Sequence, residues 1–184
     1  MKATTNRALS YTIEGPDEAP NLVFLHGWPD DASMWRNQVA ALKADYRCVL
    51  PTLPNFGNTV DEPGGCDFPD IVDRLNRTIE EIGSDPVTLV IHDWGAYIGY
   101  LYEKKYPEKV KMVIAMDVGG HFKPSTIREA AMFVSYQWTL VALWLTGGLI
   151  PPLGTWLTRK FARLLKVPER QVTSLQSRCN YPYF

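Results

Sequence analysis

The chain has 184 residues, 46% of them hydrophobic and 21% charged, with a formal net charge of −1. That is enough for about one globular domain with a real core, and the near-neutral balance gives no reason to expect nucleic acid or an acidic membrane as partner. Three separated cysteines, Cys48, Cys66 and Cys179, lack CxxC spacing; they speak against a disulfide framework or a zinc site and fit a reducing compartment.

Residues 9–14 read as a strand closed by Gly15-Pro16. The apolar run 22–25 has the mark of a strand buried on both faces and ends in His26-Gly27-Trp28-Pro29. Ser33 opens a helical pattern through Met34, Trp35, Val39, Ala41 and Leu42. Residues 46–50 form the next strand, followed by the turn-rich PTLPNFGNTVDEPGG. Phe68–Ile82 places Ile71, Leu75, Ile79 and Ile82 at helical spacing, and Gly83 stops it. A strand at 87–91 then breaks at His92-Asp93-Trp94-Gly95 and resumes as a helix carrying Tyr97, Ile98 and Leu101, ended by Pro107. Val110–Met116 is a further apolar strand, closed by Asp117-Val118-Gly119-Gly120.

Strands alternating with helices over short loops imply an α/β fold: a doubly wound, mostly parallel sheet with right-handed crossovers. The site of such a sheet lies at the carboxyl ends of its strands. Three turns fall there: 26–29, 92–95 and 117–120. After Gly120 the alternation stops, and residues 127–165 read as helical, with interruptions at Gly147-Gly148 and Pro151-Pro152. The predicted division is a core over 1–120 and a helical cap over 121–184. No charged residue lies between Glu129 and Arg159, which invites a membrane reading for 130–158. Ser135, Gln137, Thr139, Thr146 and the breaks favour an apolar cap over a site. The N-terminus shows no secretory h-region, so a cytoplasmic location is expected, with membrane association as the alternative.

The stretch VTLVIHDWGAYIGYL carries the chemistry. Strand, sharp turn with a polar apex, small residues and helix make a nucleophile elbow, with Asp93 at the apex. Gly95 and Ala96 let the helix start close against the strand. The positive end of that helix keeps the Asp93 carboxylate ionised and available for attack. The alternative is an ordinary turn in which Asp93 merely caps the helix.

With LVFLHGWPDDASMW and LVIHDWGA at two strand ends, in the family's order, the chain resembles the α/β-hydrolase superfamily, and within it the branch of epoxide hydrolases and haloalkane dehalogenases. The resemblance covers about residues 22–119 strongly and the cap more loosely. It implies that Asp93 is the nucleophile and forms an alkyl-enzyme ester. It also implies that the backbone N–H groups of Trp28 and Trp94 are the oxyanion donors, and that a small apolar epoxide or halide-bearing substrate is bound without cofactor or metal. HGWP resembles epoxide hydrolases. The elbow fits dehalogenases equally, where the indole at the position of Trp94 helps bind halide. The family's epoxide openers use cap tyrosines as acids; Tyr136, Tyr181 and Tyr183 are the candidates here, Tyr136 first. Asp117 stands where some dehalogenases place a catalytic acid, with a turn carboxylate as the competing reading. Trp138 and Trp144 read as cap core or pocket wall, Trp138 contributing to substrate binding. His26 shapes the loop, and His92 packs behind the elbow. Thr52 and Asn55 depart from the Asp and Gly common among relatives.

The family's general base is a histidine after the last strand, and no histidine follows His121. The expectation is therefore a C-terminally truncated hydrolase that can be alkylated but does not turn over. A non-catalytic binding protein on the hydrolase fold is the reading from a different class. Oligomeric state is left open.

Overall fold

The computed structural model describes residues 7–59, 62, 66–83, 86–116 and 125–181. Five strands form one sheet: β1 (Ser10–Glu14), β2 (Asn21–Leu25), β3 (Arg47–Thr52), β4 (Val87–His92) and β5 (Val110–Met116), in the order β1-β3-β2-β4-β5. β1 pairs antiparallel with β3, and the other pairs are parallel. Central β2 is buried along its whole length. Its alternate side chains feed two separate cores, as a strand covered on both faces must. Val23 and Leu25 join Leu89, Ile91, Ile71, Leu75 and Ile98 on the side of α2 (Phe68–Ile82) and α3 (Trp94–Lys105). Leu22 and Phe24 join Trp35, Val39 and Leu50 on the side of α1 (Arg36–Leu42). The sheet is thus doubly wound, as the alternating pattern implied.

The helix predicted from Ser33 starts differently. Asp31 accepts from the Ser33 N–H at 2.9 Å, and a 3-10 turn over Ala32–Trp35 precedes α1. The short polar side chain of Asp31 satisfies an amide that the first turn leaves open. α2 has the predicted bounds. Asp67 accepts from the Asp70 N–H at 2.9 Å at one end, and Gly83 adopts φ 70° at the other. On α2, the buried Arg74 bridges Asp70 at 2.8 Å and Glu62 at 2.6 Å. The guanidinium holds the Glu62 carboxyl below the usual range.

The second half is helical: α4 (Ile127–Leu149), α5 (Pro151–Leu164) and α6 (Glu169–Ser174), closed by a 3-10 turn over Ser177–Asn180. Gly147-Gly148 does not interrupt α4, contrary to the sequence reading; the chain breaks at Ile150. The reason is contact. A Cβ on Gly147 would meet Ser177 Oγ at 2.1 Å, and one on Gly154 would meet Gly147 Cα at 2.3 Å. The glycines permit close approach of α4, α5 and the last turn, and packing offsets their poor helix propensity. No helix among the described residues is long and apolar enough to cross a membrane. The predicted boundary at residue 120 falls outside the described residues.

Candidate active site

Asp93 joins β4 to α3 with φ 51° and ψ −124°. A residue with a Cβ is strained there, and such strain persists only where the surroundings impose it. Its side chain makes no capping bond to α3, so the ordinary-cap alternative does not hold. Two close approaches impose the turn. A Cβ on Gly95 would stand 2.5 Å from the carbonyl oxygens of Leu25 and His26. A Cβ on Gly27 would stand 2.3 Å from Asp93 Oδ2 and 2.5 Å from the Trp94 nitrogen. The loop after β2 therefore lies directly on the elbow, and both glycines are needed for it.

That loop turns through a cis Trp28–Pro29 bond, and its Trp28 N–H donates to Asp93 Oδ2 at 2.8 Å. A backbone donor thus meets the nucleophile candidate across sixty-five residues of chain. His26 anchors the loop from behind. It is fully buried, its Nε2 accepts from the Leu53 N–H at 3.0 Å, and its Nδ1 lies 3.4 Å from the Gly27 carbonyl. Burial lowers its pKa to about 4. It is a neutral spacer between two strand ends. His92 packs its ring edge-on to Trp35 at 6.5 Å, behind the elbow.

The helical second half packs against this loop. Tyr136 on α4 stands edge-on to the Trp28 ring at 5.8 Å, and Phe161 on α5 lies 6.1 Å from Tyr136 and 6.2 Å from Trp28. Burial pushes the Tyr136 phenol up, and the Asp93 charge pushes it the same way. Tyr136, Trp28 and Asp93 therefore share one environment. The Trp94 ring packs against Phe68 at 5.7 Å and Tyr97 at 6.5 Å.

Of the remaining expectations, the one for Trp138 meets a different outcome. Trp138 is 68% exposed, so it is not a wall of this cluster. It lies on the side of α4 turned away from Tyr136 and Leu140. Trp144 instead stands edge-on to Tyr181 at 5.3 Å, which joins these two candidates to each other. Asp117, His121 and Tyr183 lie outside the described residues.

Two polar residues escaped the sequence reading. Trp28 Nε1 donates to Asn180 Oδ1 at 3.0 Å, and Asn180 Nδ2 donates to Thr158 Oγ1 at 2.7 Å. Thr158 in turn donates to the Gly154 carbonyl at 2.8 Å. Asn180 and Thr158 are almost wholly buried. This relay fixes the indole from the cap side. A threonine among the apolar residues of α5 was the available signal, but nothing in the sequence pointed it at Trp28. No group of three or more His, Cys, Asp or Glu able to hold a metal occurs among the described residues. An open groove of about 650 Å³ beside Pro151, Trp156 and Arg159 lies elsewhere on the cap.

Residues 20–165 match the alpha/beta hydrolase fold family. The chain belongs to that family. A cis-3-alkyl-4-alkyloxetan-2-one decarboxylase of Shewanella oneidensis is 32% identical over 83% of this hydrolase-family chain and 45% of its own length. Epoxide hydrolase 1 of Caenorhabditis elegans is 30% identical over 66% of the chain and 30% of its own length. A point variant of an epoxide hydrolase from Bacillus megaterium, crystallised with its product (R)-3-[1]naphthyloxy-propane-1,2-diol, superposes with a TM-score of 0.61. It shares 26% identity over 70% of the chain and 48% of its own. The chain thus spans less than half the length of these relatives.

Proposed function

We propose that this α/β-hydrolase chain opens strained oxygen-containing rings, epoxides first, by attack of the Asp93 carboxylate. The observation that carries the reading is the 2.8 Å bond from the Trp28 N–H to Asp93 Oδ2. It holds the carboxylate through Oδ2, and Oδ1 is the attacking atom in this reading. Attack on a ring carbon breaks the C–O bond and leaves an alkoxide. Tyr136 O–H gives it a proton, and the product stays bound as an alkyl ester of Asp93.

Burial first and the Asp93 charge second raise the Tyr136 pKa, so Tyr136 enters the reaction as the neutral phenol and gives its proton only to a base as strong as an alkoxide. The phenol stays protonated at neutral pH beside an ionised Asp93. Esterification removes that negative charge and makes the proton easier to give up. When water attacks the ester, the backbone N–H groups of Trp28 and Trp94 stabilise the oxyanion. The water needs a general base; His26, held neutral with both nitrogens engaged within the fold, does not serve.

A second ring is favoured by one comparison. The oxetan-2-one decarboxylase matches 83% of the chain, which carries the similarity into the cap above Asp93. A four-membered cyclic ester is also strained and open to carboxylate attack. Intact-mass spectrometry separates the readings. The chain is incubated with an alkyl epoxide, a dialkyl oxetan-2-one and a bromoalkane in parallel. A mass gain equal to the epoxide, absent in Asp93→Asn, is the expected result. A gain only from the bromoalkane, less its bromide, would select a dehalogenase. No gain with any of them would leave a non-catalytic member of the family.

A further inference from the structure

Trp28 is held at both ends by residues far from it, and from each other, in the chain. Its backbone N–H donates to Asp93 Oδ2 at 2.8 Å, and its indole N–H donates to Asn180 Oδ1 at 3.0 Å. Between these ends the ring stands edge-on to Tyr136 at 5.8 Å. The candidate nucleophile, a candidate oxyanion donor and the candidate acid all meet at this one residue. Trp28 and Asn180 are both buried. A buried indole N–H that loses its acceptor is costly, and the ring turns to find another.

The bonds beyond Asn180 run one way. Indole Nε1 can only donate, so the Asn180 amide turns its oxygen to Trp28 and its nitrogen away. That nitrogen donates to Thr158 Oγ1 at 2.7 Å, and the Thr158 hydroxyl gives its own proton to the Gly154 carbonyl at 2.8 Å. Turning the amide over would break two bonds at once. Aspartate has no donor for Thr158, and leucine has no acceptor for Trp28. The turn that carries Asn180 is pinned on two sides. Arg178 donates to the carbonyls of Gly57 at 2.7 Å and Thr59 at 3.0 Å, in the loop after β3. Arg159 of α5 donates to the carbonyls of Thr173 at 2.8 Å and Leu175 at 3.0 Å. Asn180 is therefore an acceptor fixed in place.

We propose that Asn180 is a positioning residue of the Asp93 site: by holding the indole of Trp28, it keeps the Trp28 N–H on Asp93 and the ring against Tyr136. Asn180 touches no reacting atom and acts through Trp28 alone. A group aimed at a reacting carboxylate loses much of its effect when its support is loosened, because small misplacements are costly in rate. The kinetic consequence deepens the ring-opening reading and rests on it. The coupling between the two N–H groups of Trp28 does not.

Two measurements on the same variants test it. In heteronuclear NMR spectra of the isotope-labelled chain, Trp28→Phe, which keeps the backbone N–H, identifies the Trp28 indole signal among those of the six tryptophans. Asn180→Ala should move that indole proton upfield and the Trp28 backbone amide proton with it. In esterification of Asp93 by an alkyl epoxide, followed by intact mass, Asn180→Ala should slow the rate about tenfold or more. Trp28→Phe should slow it similarly, and the double variant no further, since both remove one bond. Val39→Ala, in the core on the other face of the sheet, should lower stability and leave the rate within about twofold. Should Asn180→Ala fail to fold, Thr158→Val, which unpairs the other end of the Asn180 amide, should give the same two changes in smaller size. An unmoved Trp28 amide, a rate within about twofold of wild type, or single losses that multiply in the double variant overturns the proposal. A wild type that forms no ester strikes the ring-opening reading, and the amide signal alone then decides.

Discussion

α2 and α4 are both regular helices of apolar-rich sequence, yet they relate to the molecule in different ways. α2 is amphipathic: Ile71, Leu75, Ile79 and Ile82 are buried on one side, and charged residues occupy much of the other. Its ends are closed by Asp67 and Gly83. α4 carries apolar residues on opposite sides, and of its 23 residues only Leu140, Leu143 and Gly147 are buried. A helix with one apolar stripe declares which side the core takes. A helix with apolar residues on opposite sides does not.

The contrast makes opposite predictions for chemically similar changes, the largest on α2. Arg74→Met removes the buried cation between Asp70 and Glu62, leaving Asp70 without it and Glu62 with Arg7. It should cost about 3–5 kcal/mol in denaturant unfolding. It should also alter the acid limb of stability. In the wild type the Glu62 pKa is depressed on folding, so its contribution is full above the unfolded value and is lost as pH falls through the folded one. The variant should keep only the smaller part of that dependence that Arg7, which also bonds Glu62, supplies. A wild-type stability curve that is flat from neutrality to about pH 3 would contradict the ion cluster's weight.

Leu75→Ala, which empties a wholly buried position in the α2 core, should cost about 2–5 kcal/mol. Leu145→Ala, the same truncation at an exposed position of α4, should change stability by no more than about 0.5 kcal/mol. Equal costs at the two sites would end the distinction. Between these extremes lies the seam of α4 and α5. Gly154→Ala forces a methyl against Gly147 and should cost about 1–3 kcal/mol, even though alanine is the better helix former.

What was legible in the sequence follows the same division. The bounds of α2 and β5 were readable because a period and a stop signal coincide there. The sharp turn at Asp93 was readable because strand, polar apex and small residues lie consecutively. The glycines of α4 misled, since helix-breaking propensity is a local property and their partners, Ser177 and Gly154, are not local. Trp138 misled because an apolar helix gives no phase. Asn180 was invisible: its bond to Trp28 joins positions 152 residues apart, and no short pattern announces such a pair. The local part of the site was legible, while the part that bridges core and cap required the fold.

The central claim is that the Trp28 N–H presents Asp93 as a nucleophile. It is tested most directly by proteolysis and tandem mass spectrometry of the chain after exposure to an alkyl epoxide. The expected result is a single ester on the peptide containing Asp93, lost on adding hydroxylamine and absent in Asp93→Asn. An adduct on another carboxylate or on a cysteine, with Asp93 unmodified, would contradict it.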